Sequence, residues 1–218
     1  MIEIKNFSKS YSDVTVFENF NLTLEEGKIT CILGESGSGK TTLLNAVAHL
    51  TEYGGNITGL KSSYVFQTPR LVPNLTVYGN LKLVCGDGGK IDSMLERVGL
   101  SDKAKSYPVG LSGGQAQRVS LARAFLFESD VILMDEPFTA LDLKLKKELN
   151  ELFFDVWKKD KRTVIFVTHD VDEAVCSAHR ILVINRGTVV YDKRADGEPP
   201  RALNVAEKLR DELVSALL

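Results

Sequence analysis

Apolar residues along the chain gather into short continuous runs, and stretches with helical spacing separate them. Ile29-Thr30-Cys31-Ile32-Leu33, Val131-Ile132-Leu133-Met134, Val164-Ile165-Phe166-Val167 and Ile181-Leu182-Val183-Ile184 have the length and continuity of strands covered on both faces. Leu43, Leu44, Ala46 and Val47 recur as one face of a helix, as do Val119, Leu121, Ala122, Ala124 and Phe125. Buried strands alternating with helices predict an α/β core.

The opening of the chain is patterned differently. Ile2, Ile4 and Phe7 alternate with polar residues, and Val14, Val16, Phe17, Phe20, Leu22 and Leu24 follow before a turn at Glu25-Glu26-Gly27-Lys28. A small antiparallel sheet is expected there. Gly54-Gly55-Asn56 reads as a turn and Ser63-Tyr64-Val65-Phe66 as a short strand ending at Gln67. From Leu71 to Gly110, Pro73, Pro108 and several glycines surround two helical patterns. Val77, Leu81 and Val84 form one; Ile91, Leu95 and Val98 form the other, stopped by Gly99. Cys85-Gly86-Asp87-Gly88-Gly89 reads as a flexible break between them. Near the end, Asn185-Arg186-Gly187 turns a hairpin into Thr188-Val189-Val190-Tyr191. A polar link, Asp196 to Arg201, leads to a helix marked by Ala206, Leu209, Leu213 and Leu217 that packs back on the domain.

Chemistry concentrates where buried runs end. Gly34-Glu35-Ser36-Gly37-Ser38-Gly39-Lys40-Thr41-Thr42 follows the first run and fits G-x-x-x-x-G-K-(S/T) between a strand and a helix. In that context glycines let backbone N–H groups turn around phosphate oxygens at a helix N-terminus. Lys40 is expected to reach the β- and γ-phosphates and Thr41 to ligate Mg²⁺. A nucleoside triphosphate is therefore the expected ligand. Asp135 and Glu136 close the second run at the ligand edge of the sheet, Asp135 for Mg²⁺ and Glu136 to polarise an attacking water. His169 ends the third run; His49 and His179 fall on expected helices and are read as structural or exposed. Leu111-Ser112-Gly113-Gly114-Gln115 opens a helix with Ser112 as N-cap, and its free N–H groups make a second anion site. Two residues keep two readings. Tyr11, expected in a loop upstream of the phosphate site, is a base-stacking ring or a half-buried strand-end tyrosine. Gln67 orients water or Mg²⁺, or is a solvated loop residue.

Composition narrows the class. With 44% hydrophobic and 26% charged residues in 218, the chain reads as one globular domain. Twenty-seven basic against 29 acidic residues leave a formal charge of −2, no electrostatic argument for nucleic acid, and none is expected as a partner. Cys31, Cys85 and Cys176 show no metal or disulfide spacing, and no apolar run nears the ~20 residues that span a bilayer. A cytoplasmic chain is expected, reaching a membrane only through a partner.

In this order the stretches resemble the nucleotide-binding subunit of an ATP-binding-cassette (ABC) transporter over nearly the whole length. Gly34 to Thr41 is similar to Walker A, Gln67 to the Q-loop, Leu111 to Gln115 to the LSGGQ signature, and Val131 to Glu136 to Walker B with its glutamate. Ala140-Leu141-Asp142 resembles the D-loop and His169 the switch histidine. The resemblance implies an α/β P-loop NTPase fold with a RecA-like core, an N-terminal antiparallel β-subdomain and a short helical subdomain. Residues 1–218 would form one ABC ATPase domain, with its core at 1–67 and 119–218 and the helical subdomain at about 68–118.

It also implies that ATP and Mg²⁺ are bound and that a homodimer, or a paired cassette, sandwiches ATP. One copy would offer Tyr11 to adenine along with Lys40, Thr41 and Thr42, and the other Ser112 to Gln115, with Asp142 also at the nucleotide. Thr41, Gln67 and Asp135 would hold the metal. Glu136, His169, Gln67 and Lys40 would serve hydrolysis. Integral-membrane permease subunits and an extracytoplasmic solute-binding protein would be the partners, with the cassette peripheral on the inner face of the cell membrane. Gln67 to Pro73, Thr168 to Val175 and the Pro199-Pro200-Arg201 tail look similar to the nitrate/sulfonate/taurine importer branch. The competing class is a non-transport ABC ATPase of translation, DNA repair or protein assembly.

Overall fold

A computed structural model describes residues 1–139 and 142–217 of the protein. Ala140 and Leu141 of the expected D-loop lie outside the described residues. Strands β1 (Ile2–Tyr11), β2 (Val14–Leu24) and β4 (Gly54–Ile57) form a three-stranded antiparallel sheet in the order β2-β1-β4. The second sheet holds β3 (Ile29–Leu33), β5 (Ser62–Val65), β6 (Val131–Asp135), β7 (Thr163–Thr168), β8 (Arg180–Asn185) and β9 (Thr188–Arg194). Its order is β5-β6-β7-β3-β8-β9, parallel except for β9, which returns antiparallel to β8.

The runs carry apolar residues on both faces because each strand feeds two cores. Cys31, Ile132, Phe166 and Ile181 face one side. Packed there are α2 (Val77–Lys82), α3 (Gly88–Arg97), α4 (Gly113–Leu126), α5 (Leu143–Asp160), α6 (Val171–Ser177) and α7 (Glu207–Leu217). Ile32, Leu133, Ile165 and Leu182 face the other side, against α1 (Lys40–Val47) and the small sheet. The helical stretch after Gln67 has no separate core. Val77, Leu81, Ile91 and Leu95 belong to the same cluster as Cys31 and Phe166. Leu213 of α7 is fully buried in it too, so the closing helix packs back as its spacing predicts.

Four local expectations need correction. Gly54-Gly55-Asn56 is strand β4, not a turn. Gly55 has φ 89°, and a Cβ there would meet Asn6 O at 2.2 Å, so the glycine serves close backbone pairing across an irregular register with β1. The break at Cys85–Gly89 is shorter than expected. Asp87 accepts the N–H of Lys90 at 3.1 Å and caps α3, whose first turn takes in both glycines. Tyr11 is the last residue of β1, not a loop residue. His179 lies between α6 and β8, and His49 just past α1, so neither is helical. By contrast Gly99, with φ 67°, stops α3 as its position predicts.

Candidate active site

The phosphate loop leaves β3 at Gly34 and enters α1 at Lys40. Gly39 is the N-cap at φ 101°, and a Cβ there would lie 2.6 Å from the Phe17 ring, so glycine is required for both conformation and space. No side chain caps α1, so its first-turn N–H groups are left for an anion. Lys40 is buried, and its Nζ donates to Gly34 O at 2.7 Å and Glu35 O at 2.8 Å. Burial lowers its pKa, against the nearby charges of Glu136 and Asp135. Thr41 Oγ1 donates to Asp135 Oδ1 at 3.1 Å, and the Tyr64 hydroxyl donates to Asp135 Oδ2 at 3.3 Å. Burial raises the Asp135 pKa, and these two hydrogen bonds oppose it.

Glu136 turns the chain out of β6. It holds φ 44°, sparsely populated for a residue with a Cβ, while its N–H donates to Val167 O at 3.0 Å. Its Oε2 accepts from Thr139 Oγ1 at 3.1 Å and lies 3.2 Å from His169 Nδ1. His169 is 56% exposed, Glu136 22%. Tyr11, Ser36, Gly37, Gly39, Lys40, Thr41, Thr42 and Glu136 line one open groove of about 230 Å³ with Val16. Tyr11 is 47% exposed on that groove, Lys9 Nζ 4.8 Å from its ring centre. A separate cleft of about 760 Å³, lined by Lys90, Arg97, Glu128 and Arg162, holds none of these groups.

The remaining expected residues do not line this groove. Gln67 is exposed just past β5 and makes no hydrogen bond to Thr41 or Asp135 among the described residues. The Asp142 carboxylate accepts the N–H of Leu145 at 3.0 Å and caps α5. Ser112 caps α4, and the expectation of free N–H groups there is only half right. Ser112 Oγ accepts from Gln115 N at 3.2 Å, and Gln115 Oε1 accepts from Ser112 N at 3.0 Å, a reciprocal capping box. Gly113 and Gly114 are left. A Cβ on Gly113 meets nothing within 4 Å, whereas one on Gly114 would lie 2.5 Å from Leu145 Cδ2. A side chain at 114 would have to displace Leu145 within this chain; one at 113 would not meet anything.

Sequence reasoning overlooked Tyr64, Thr139 and Gln117. Gln117 is buried in α4, and its Nε2 donates to Pro137 O at 2.8 Å, beside Glu136. Only the spacing of Thr139, three residues after Glu136, carried a local signal.

The sequence and the fold are similar to those of known proteins. The ABC transporter family profile matches residues 17–139. The chain is similar to the aliphatic sulfonates import ATP-binding protein of Paracoccus denitrificans (strain Pd 1222), 41% identical over 92% of this chain and 86% of that one. The Rhodococcus jostii (strain RHA1) protein of the same name is 39% identical over 99% of this chain and 92% of its own. Among solved structures, a dimeric ATP-binding cassette in a post-hydrolysis state, bound to ADP and Pi, superposes with a TM-score of 0.80. It is 30% identical over 90% of this chain and all of that one. The chain belongs to the ABC transporter family, as an ATP-binding cassette that hydrolyses ATP.

Proposed function

We propose that this cassette powers import of a small anionic organic solute, of the sulfonate class named for its relatives, through separate permease subunits. One domain, residues 1–218, does this from the inner face of the cell membrane, with an extracytoplasmic binding protein delivering the solute. The helical stretch at about 68–118 faces the permease and carries the motion of the cassette to it. The observation that carries the reading is the contact of Glu136 with His169 beside the groove that holds Lys40 and Thr41.

At that groove Tyr11 stacks on adenine, and the backbone from Gly34 to Thr42 wraps the phosphates. Lys40 Nζ exchanges its loop carbonyls for β- and γ-phosphate oxygens. Thr41 Oγ1 and the Asp135 carboxylate present adjacent hard oxygen donors, the chemistry that suits Mg²⁺. Gln67 joins them from the end of β5. An ion held there would offset phosphate charge. Glu136 Oε2 accepts a hydrogen bond from the attacking water, and His169 stabilises charge on the γ-phosphate oxygens.

A second copy, head to tail, supplies Ser112, Gly113, Gly114 and Gln115 to the phosphate, with Asp142 at the seam. Gly113, open on its own chain, is where the phosphate comes closest. Hydrolysis removes the bridging charge contacts and the pair separates.

Isolation of the protein from native membranes, with identification of the proteins bound to it, tests the reading. A permease pair and a solute-binding protein are expected. Ribosomal or DNA-repair proteins in their place would establish the non-transport alternative.

A further inference from the structure

Lys146 sits one turn into α5, and its N–H donates to Asp142 O at 2.9 Å. Its Nζ crosses to α6, reaching Asp170 Oδ2 at 2.5 Å and Glu173 Oε2 at 4.0 Å. Asp170 directly follows His169 and caps α6, its Oδ1 accepting the N–H of Glu173 at 3.1 Å. Thr168 directly precedes His169. Its Oγ1 accepts the N–H of Asp170 at 3.1 Å and donates to Glu173 Oε2. Both neighbours of His169 thus belong to one ring of hydrogen bonds, and Lys146 supplies its positive charge.

The ring needs that charge. The Glu173 side chain is 3% exposed, and its Oε1 has no partner among the described residues. Burial raises its pKa, opposed by Thr168 and Lys146. A carboxylate so placed stays ionised only if paired. Burial acts to lower the pKa of Lys146 as well, yet its bond to Asp170 and the charges of Glu173, Asp170 and Asp172 carry the net shift upward. The ammonium is therefore held firmly charged.

We propose that Lys146 is a positioning residue for hydrolysis. By neutralising Asp170 and Glu173 it holds the Thr168–Asp170 backbone, and so keeps His169 against Glu136. It ties the helix that follows Glu136 to the strand end that carries His169, without touching the nucleotide groove. The inference rests on the reading of His169 given above.

The test uses the full chain, whose three histidines report separately in ¹H–¹³C spectra. Lys146→Met is expected to move the imidazole resonances of His169 and leave those of His49 and His179 in place. It lowers kcat about tenfold with the Kd for ATP unchanged, and Lys146→Arg recovers both signals. Unmoved His169 resonances overturn the proposal, as does a loss of ATP affinity that matches the loss of kcat. Should Lys146→Met not fold, Glu173→Gln keeps an acceptor for Thr168 while removing one charge, and the same resonances decide. Wild-type kcat in His169→Ala would instead sink the catalytic reading of His169, leaving the resonance result to judge Lys146 by itself.

Discussion

Thr41 Oγ1 donates to Asp135 Oδ1 at 3.1 Å across 94 positions of sequence. The strands that lead to them, β3 and β6, are not neighbours. β7 lies between β3 and β6, so the first turn of α1 must reach over it to meet the end of β6. The contact places a hydroxyl and a carboxylate side by side at the mouth of the phosphate loop. Thr41→Val leaves Asp135 with Tyr64 as its side-chain partner. The Mg²⁺ concentration for half-maximal hydrolysis should rise at least about tenfold, the lower end for losing a group at a metal site. Binding of ATP in EDTA should stay the same. A Mg²⁺ titration superimposable on wild type would remove Thr41 from the metal site.

Glu136 is held in a strained conformation with its carboxylate against His169. Glu136→Gln keeps the shape and the bond from Thr139 but removes the charge proposed to polarise water. Steady-state hydrolysis should fall by about 10²- to 10⁴-fold, with ATP binding intact. The stalled complex should run as a dimer on sizing chromatography with MgATP. A monomer under those conditions would contradict the sandwich for the isolated chain.

Gly113 and Gly114 separate packing within a chain from contact between chains. Gly113→Ala meets nothing in its own chain, so its melting temperature should match or slightly exceed wild type. Turnover should nonetheless collapse if a phosphate from another copy approaches there. Gly114→Val drives a branched side chain into Leu145 and should cost about 1–3 kcal/mol of stability by overpacking. Full turnover in Gly113→Ala would show that no second copy comes close at that residue.

His179 links acid stability to the strand that carries the phosphate loop. Its Nδ1 accepts the N–H of Ile29 at 3.1 Å, so that nitrogen carries no proton, and Nε2 lies 3.0 Å from Glu198 Oε2. Burial holds its pKa below the ordinary 6.5, against the pull of Glu198. The unfolded chain therefore takes up the proton first as pH falls through about 6.5. The stability from neutral His179 is complete above that pH and declines below it, until the lowered folded-state pKa is reached. Melting temperature should drop between pH 6.5 and 5.5. In His179→Phe, which keeps a ring against Trp157 but cannot titrate, the decline in that window should flatten. Equal declines in both proteins would place the acid sensitivity elsewhere.

Much of this was legible in the chain itself. Runs such as Val131–Met134 announce buried strands because both faces must be apolar. Ser112 and Gly99 mark the start and stop of helices because caps act through bonds a few residues long. The phosphate loop, the acidic pair and His169 could be placed at strand ends for the same reason: each lies next to the run that positions it. Gly54-Gly55-Asn56 misled because glycines suit a turn and a close-paired edge strand equally well.

Local pattern therefore determined most of the strands and helices and which side chains can do chemistry. The tertiary structure alone decided who meets whom. It set β7 between β3 and β6, brought Tyr64 onto Asp135, turned Asp142 into a cap and reached Lys146 across to the neighbours of His169. Periodicity and capping report only on the few residues around them. Strand order and helix packing come from burying two cores at once, an energy shared among residues scattered through the whole chain.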